Sequence, residues 1–125
     1  MKKMIIALVC AALAVPLMAQ DYNYAGMDYT KALLKKPLSA KIEALREYID
    51  KYPDTNQKFT KLAYYQLASS YFSADSYENA ITFGKKTLSI MSFESNPNEV
   101  AKTHLLLGNS YGIKSSAQFN REEAL

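Results

Sequence analysis

The stretch AYYQLASSY, residues Ala63–Tyr71, decides the fold class, because a related stretch, THLLLGNSY, follows forty positions later at Thr103–Tyr111. The matching pairs are Leu67/Leu107, Ala68/Gly108 and Tyr71/Tyr111. Leucine, then a residue small enough to admit a neighbouring backbone, then an aromatic side chain about one turn later is the spacing by which one helix packs into the next. The sequence therefore contains an internal helical repeat.

Between the two copies, YENAITFGKKTLSI (Tyr77–Ile90) predicts a second amphipathic helix. Its apolar and small positions recur at helical spacing and form one face: Tyr77, Ala80, Ile81, Gly84, Thr87, Leu88 and Met91. Because Gly84 lowers helix propensity by about 1 kcal/mol, we expect another helix to approach closely there. The fold class is all-α, an α-solenoid of antiparallel helical hairpins, of which about two to two and a half are present.

Two helices are predicted before the first copy of the repeat. One spans about Met27–Lys36 and stops before Pro37, since a proline disfavours helical geometry in the preceding residue. Ser39 is expected to cap the next helix, which Pro53 ends. The first copy of the repeat then lies on a helix from about Gln57 to Phe72.

The later helix boundaries carry their own signals. Asp75–Glu78 predicts an acidic analogue of the capping box for the helix between the two copies. Asn96–Glu99 combines a capping residue, a proline at the first helical position and a glutamate, which predicts a helix start. We expect that helix to end at Gly112, with a loop at 115–116 and another helix beginning at 120–125. Its inward residues are predicted to be Val100, His104, Leu107, Gly108 and Tyr111.

The N-terminus has the order of a secretory signal. Lys2-Lys3 precedes the apolar run Met4–Val15, and Ala19 stands at a cleavage position. The run is short for a membrane span, so we expect an exported chain, periplasmic or secreted, with no membrane span after removal of the signal. An uncleaved, membrane-anchoring N-terminus is the alternative. The predicted organisation is a signal peptide at 1–19, a flexible leader at 20–26 and a helical repeat domain at 27–125.

Composition excludes several other classes of partner. Cys10 is the only cysteine and leaves with the signal, so no disulfide is available; Val9 before it argues against lipidation. Without Lys2 and Lys3, the 15 basic residues fall to 13 against 12 acidic ones, and the formal net charge falls from +3 to +1. Nucleic-acid binding is therefore not expected, since it requires basic residues concentrated on one face.

No constellation for catalysis is present in the sequence. His104 is the only histidine, so neither a histidine metal site nor a nucleophile–histidine pair can be built on more than one such residue. The adjacent Glu122 and Glu123 point in different directions on a helix. Four scattered glycines form no phosphate-binding loop. We therefore predict a protein that is not an enzyme and uses no metal or other cofactor.

The repeat resembles the tetratricopeptide repeat family, in which hairpins stack into a right-handed superhelix. The residues that match its pattern are Tyr64, Leu67, Ala68, Tyr71, Tyr77 and Ala80, then His104, Leu107, Gly108 and Tyr111, and before them Ala44, Tyr48, Tyr52 and Pro53. Gly84 and Thr87 depart from the pattern, and the repeat spacing is 40 where the family usually has about 34. The resemblance covers roughly Met27–Leu125.

The resemblance implies a concave groove lined by first-helix residues outside the packing stripe. Here these are Leu62, Tyr65, Ser69 and Phe72, followed by Lys102, Leu105 and Asn109, with Gly112 beyond. Tyr65 and Ser69 stand where a carboxylate clamp would need basic and amide groups, so the implied partner is a protein or peptide segment that binds by side-chain burial. Alternatively, the aromatic residues simply pack against neighbouring hairpins.

Three hypotheses for function follow. The first is a non-catalytic protein–protein interaction scaffold of the bacterial cell envelope. The second is a component of envelope or outer-membrane assembly, and the third is the repeat module of a longer enzyme or carbohydrate-binding protein. A hairpin cannot bury its apolar face alone, so self-association through the C-terminal end is also expected.

Overall fold

The computed structural model describes residues 24–124 of the chain. Five helices make up most of this range: α1 (24–33), α2 (Leu38–Lys51), α3 (Lys58–Ser73), α4 (Tyr77–Ile90) and α5 (Pro97–Ala124). Residues 24–124 contain no strand, so this part of the protein is all-α, as predicted. The predicted signal peptide at 1–19 lies outside the described residues.

The helices pack in chain order. Contacts join α2 to α3, α3 to α4 and α4 to α5, and α5 also lies against α3. At the other end, the ring of Tyr29 on α1 is 5.5 Å from that of Phe59 on α3 and 5.8 Å from that of Tyr48 on α2. The odd-numbered helices therefore form one row, and α2 and α4 pack against it. This arrangement is compatible with an α-solenoid.

One continuous core runs through all five helices. Its buried members come from every helix: Tyr29, Ala32, Leu45, Tyr48, Ala63, Leu67, Ala68, Tyr71, Ala80 and Leu106. The largest share belongs to α3, because this helix has neighbours on both sides. The first copy of the repeat is thus the centre of the fold.

Polar contacts fasten α1 to α2 at the edge of this core. The carboxylate of Asp28 accepts hydrogen bonds from the Tyr52 hydroxyl at 2.7 Å and from Lys51 Nζ at 3.0 Å. These bonds lower the pKa of Asp28, with the tyrosine contributing most. Beside them, the hydroxyl of Tyr48 is buried and has no hydrogen-bond partner within residues 24–124. The aromatic ring of Tyr48, rather than its hydroxyl, stabilises this hairpin.

The face predicted for α4 is confirmed. Ala80, Ile81, Gly84 and Thr87 are buried, and Met91 just after the helix is buried as well. A Cβ atom placed on Gly84 would lie 2.9 Å from Cδ2 of Leu107 on α5, well inside the optimal separation of non-bonded carbon atoms. The expected close approach of a second helix therefore occurs at this glycine.

The first two helices begin earlier than predicted. Residues 24–26, assigned to a flexible leader, belong to α1, because Ala25 is buried one turn before the buried Tyr29. Ser39 does not cap α2. The carbonyl of Pro37 already accepts bonds from the backbone N–H groups of Ala40 and Lys41, so the helix starts at Leu38.

The predicted capping box between α3 and α4 is wrong. Asp75 adopts a left-handed conformation, with φ of 60°, and its Oδ1 accepts a hydrogen bond of 2.9 Å from the Tyr77 hydroxyl. Ser76 takes the N-cap position and makes no side-chain bond to the helix backbone. The turn positions Asp75 away from the helix end, which spacing alone did not indicate.

The predicted end of α5 at Gly112 is also wrong. The helix continues through the expected loop at 115–116 and the expected new helix start at 120, as far as Ala124. Gly112 keeps a helical conformation without positive φ, since an interior glycine costs only about 1 kcal/mol and no proline follows it. Lys114 Nζ lies 3.4 Å from Glu78 Oε1, so this part of α5 runs near the start of α4.

The inward face predicted for α5 is wrong in three of its five positions. Val100 is buried and Leu107 is half-buried, but His104, Gly108 and Tyr111 are exposed. The residues buried beside Val100 are Thr103, Leu106 and Ser110. The exposed three lie beside the buried face of α5 rather than on it.

Candidate binding groove

The groove predicted between α3 and α5 lies on the row of odd-numbered helices. Its α3 residues, Leu62, Tyr65, Ser69 and Phe72, are half-buried, and its α5 residues, Lys102, Leu105 and Asn109, are exposed. None of the seven is fully buried. Leu62 and Phe72 pack against the core while part of each side chain remains accessible. The α3 side chains therefore serve packing and leave surface for contact.

The structure brings Phe72 and Asn109 into one depression between α3 and α5. The other residues that line it are Gly108, Gly112, Ile113 and Ser116. A Cβ atom placed on Gly108 or Gly112 would meet no described atom within 4 Å, so the two glycines leave open space along the α5 wall. On the opposite wall, the ring of Phe72 is held edge-to-face against that of Tyr77, with centroids 5.6 Å apart. The result is a small apolar recess beside an amide group.

A second cluster lies near the start of α5, on the side of α3. Burial raises the pKa of Tyr65, and the negative charge of Glu99 raises it further. Burial likewise raises the pKa of Tyr29 to about 12; a hydrogen bond with Gln66 opposes this rise, and Glu99 adds to it. Tyr29, Tyr65 and Glu99 therefore share one neighbourhood at this end of the groove.

The sequence interpretation missed Glu99 as a groove residue and treated it only as part of a helix start. The register of the repeat does not contain the signal. Glu99 stands forty positions after Phe59, which contacts Tyr29 on the preceding odd-numbered helix, but the counterpart of Tyr29 on α3 is Ser69. The place of Glu99 near Tyr65 therefore depends on the packing of α5 against α3.

The remaining predicted residues line the two helices without meeting in this recess. Leu105 is 65% exposed and Lys102 is also exposed, both on the α5 side. Ser69 lies half-buried on α3, about one turn before Phe72. Of the seven predicted groove residues, only Phe72 and Asn109 line this depression, and Tyr65 and Glu99 lie towards the start of α5.

The described residues contain no cluster of three or more histidine, cysteine or acidic side chains able to hold a metal ion. Within residues 24–124, no helix combines the length and the apolar character needed to cross a lipid bilayer. Comparison of the chain with protein-family models, with curated proteins and with solved structures found no match. Over residues 24–124, the fold thus defines only a coarse class, an all-α protein.

Proposed function

We propose that this protein is a non-catalytic scaffold of the tetratricopeptide type, which holds a segment of another protein in the groove between α3 and α5. The observation that carries the proposal is the recess formed by Phe72, Asn109 and the two open glycines of α5. It lies between the two copies of the repeat, which pack side by side. A row of repeated first helices is the usual place for an extended ligand surface in solenoid proteins.

The chemistry of the recess indicates the kind of segment that fits. Phe72 and Ile113 offer apolar surface for one side chain, and the Asn109 amide can bond to a backbone group of the ligand. Small concave sites that combine an apolar wall with a few polar groups are typical of ligand recognition. We infer a partner segment anchored by one apolar side chain, in an extended or helical conformation.

The proposed setting is the cell envelope. It rests on the signal-like order of residues 1–19, which lie outside the described residues. An exported scaffold would meet its partner in the periplasm or outside the cell, and it would need no cofactor for this role.

The test is capture of envelope proteins on the immobilised protein, compared among variants by quantitative mass spectrometry. Phe72→Ala removes one wall of the recess, and Asn109→Arg fills it from an exposed position that does not touch the core. Phe93→Ala is the matched control, because Phe93 is 66% exposed in the loop between α4 and α5. We expect a specific set of proteins to bind the wild type and Phe93→Ala and to be lost with both groove variants.

Circular dichroism of each variant keeps the result interpretable, since Asn109→Arg should retain the full helix signal. If the folded Asn109→Arg protein captures the same proteins as the wild type, the groove is not the binding surface and the proposal fails.

A further inference from the structure

A second surface lies on α5, on the side that corresponds to the α3 side covered by the following helix, α4. We call it the open face and define it by His104, Gly108 and Tyr111. The equivalent residues of α3, forty positions earlier, are Tyr64, Ala68 and Tyr71. On α3, Ala68 is fully buried and Tyr71 is 7% exposed, whereas on α5, Gly108 is exposed and Tyr111 is 46% exposed. The same pattern is thus covered in one copy and uncovered in the other.

The helix that covers this face on α3 is α4. The ring of Phe83 stacks on Tyr71 with centroids 5.4 Å apart and an interplanar angle of 24°, and it lies 6.1 Å from the ring of Tyr64. Ala80, three positions before Phe83, is fully buried in the same core cluster as Ala68. A helix that presents a small residue and, three positions later, an aromatic residue can therefore pack on a face of this kind.

The open face and its counterpart on α3 are alike on the side of the preceding helix and differ on the side of the following helix. Arg46 of α2, the helix before α3, donates a hydrogen bond of 2.8 Å to the Tyr71 hydroxyl. In the second copy, Lys85 of α4, the helix before α5, lies 5.7 Å from the centre of the Tyr111 ring. A basic side chain of the preceding helix thus contacts the tyrosine in both copies. The side that Phe83 occupies in the first copy has no equivalent in the second among the described residues.

We propose that the open face binds one amphipathic helix of a partner protein, which presents a small residue and, three positions later, an aromatic residue. This helix packs on α5 as α4 packs on α3. The aromatic residue stacks on Tyr111, and the small residue lies over Gly108, where a Cβ atom would meet no described atom within 4 Å. The chain itself supplies the template, because α4 already binds the repeat-equivalent face.

The probe is a synthetic peptide with the α4 sequence, residues 77–90, labelled with fluorescein and capped at both ends. A helix of this length is marginal in water, so a hydrocarbon staple joins positions 78 and 82, which are exposed in the protein. Binding to the full chain is measured by fluorescence anisotropy. We expect saturable binding that falls at least tenfold when the peptide carries Phe83→Ala.

The protein variants assign the binding to the open face. Tyr111→Ala should weaken binding at least tenfold, because it removes the stacking surface from an exposed position. Tyr24→Ala, which changes a tyrosine 51% exposed on α1, is the matched control and should leave binding unchanged.

Three results would overturn this proposal: no saturable binding of the stapled peptide, equal affinity for the wild type and Tyr111→Ala, or equal loss with Tyr24→Ala. Analytical ultracentrifugation of the protein alone tests a second copy of this chain as the occupant. A dimer that dissociates in Tyr111→Ala would show that a second copy covers the open face in place of a partner helix.

Discussion

The two copies of the repeat have the same spacing and different surroundings. Leu67 is fully buried on α3, while its counterpart Leu107 is half-buried on α5. The difference grows at the next two positions, where buried Ala68 and Tyr71 correspond to exposed Gly108 and Tyr111. The spacing of apolar residues predicts which side of a helix can pack, but a neighbouring helix decides whether that side is covered.

The largest differences lie on one side of the two helices. A smaller difference lies on the groove side, where half-buried side chains of α3 correspond to exposed ones of α5. Three further pairs are buried in both copies: Thr60/Val100, Ala63/Thr103 and Ser70/Ser110. These positions face the helices that come earlier in the chain. On α3 the opposite side is covered by α4, and no described helix covers that side of α5. The pairs Ala68/Gly108 and Tyr71/Tyr111 therefore report mainly the contribution of the helix that follows, which is α4 in the first copy.

Truncation of the leucine should give the largest difference between the copies. Leu67→Ala should lower the free energy of unfolding by about 2–5 kcal/mol, because it leaves a cavity in a fully buried site. Leu107→Ala should cost about half as much, since part of that side chain is already in water. Urea denaturation followed by circular dichroism measures both. Equal losses would show that α5 is covered in solution.

Replacing the small residue by leucine should change the stability of the protein in opposite directions in the two copies. Ala68→Leu should destabilise the protein by about 1–3 kcal/mol, because it overpacks a fully buried site. Gly108→Leu should stabilise it by about 1 kcal/mol, since leucine is a better helix former than glycine and meets open space there. Thermal denaturation at several protein concentrations gives the comparison. A loss of stability in Gly108→Leu would contradict an uncovered face.

Removal of the tyrosine hydroxyl should give the smallest difference. Tyr71→Phe should cost about 1 kcal/mol, because it removes the acceptor of the hydrogen bond from Arg46. Tyr111→Phe should change stability by less than about 0.5 kcal/mol, as for an ordinary surface substitution. Arg46→Leu, combined with each phenylalanine variant, is the control. The changes in the free energy of unfolding should be non-additive when Arg46→Leu is combined with Tyr71→Phe. They should be additive when it is combined with Tyr111→Phe.

Local sequence patterns predicted helix faces and helix starts correctly where residues a few positions apart determine the backbone geometry. The buried face of α4 and the start of α5 at Pro97 follow from apolar spacing and from capping chemistry. Local signals failed at Gly112, where a helix continued through glycine and serine because nothing in that segment forbids helical geometry. They also failed at Asp75, whose carboxylate bonds to Tyr77 instead of to the helix end.

Only part of the candidate site could be predicted from the sequence. The resemblance implied that Phe72 and Asn109 line one groove, and the two residues line the same depression. Glu99 was missed because its place beside Tyr65 depends on how α5 lies across α3. A helix-start motif carries no information about that packing.

The sequence by itself determined that the described chain is helical and which positions repeat, because helix spacing and helix starts depend on residues a few positions apart. Only the tertiary structure decided that Tyr71 is buried and Tyr111 is exposed. Burial belongs to a pair of helices, and two segments with the same pattern differ whenever one has a neighbour that the other lacks.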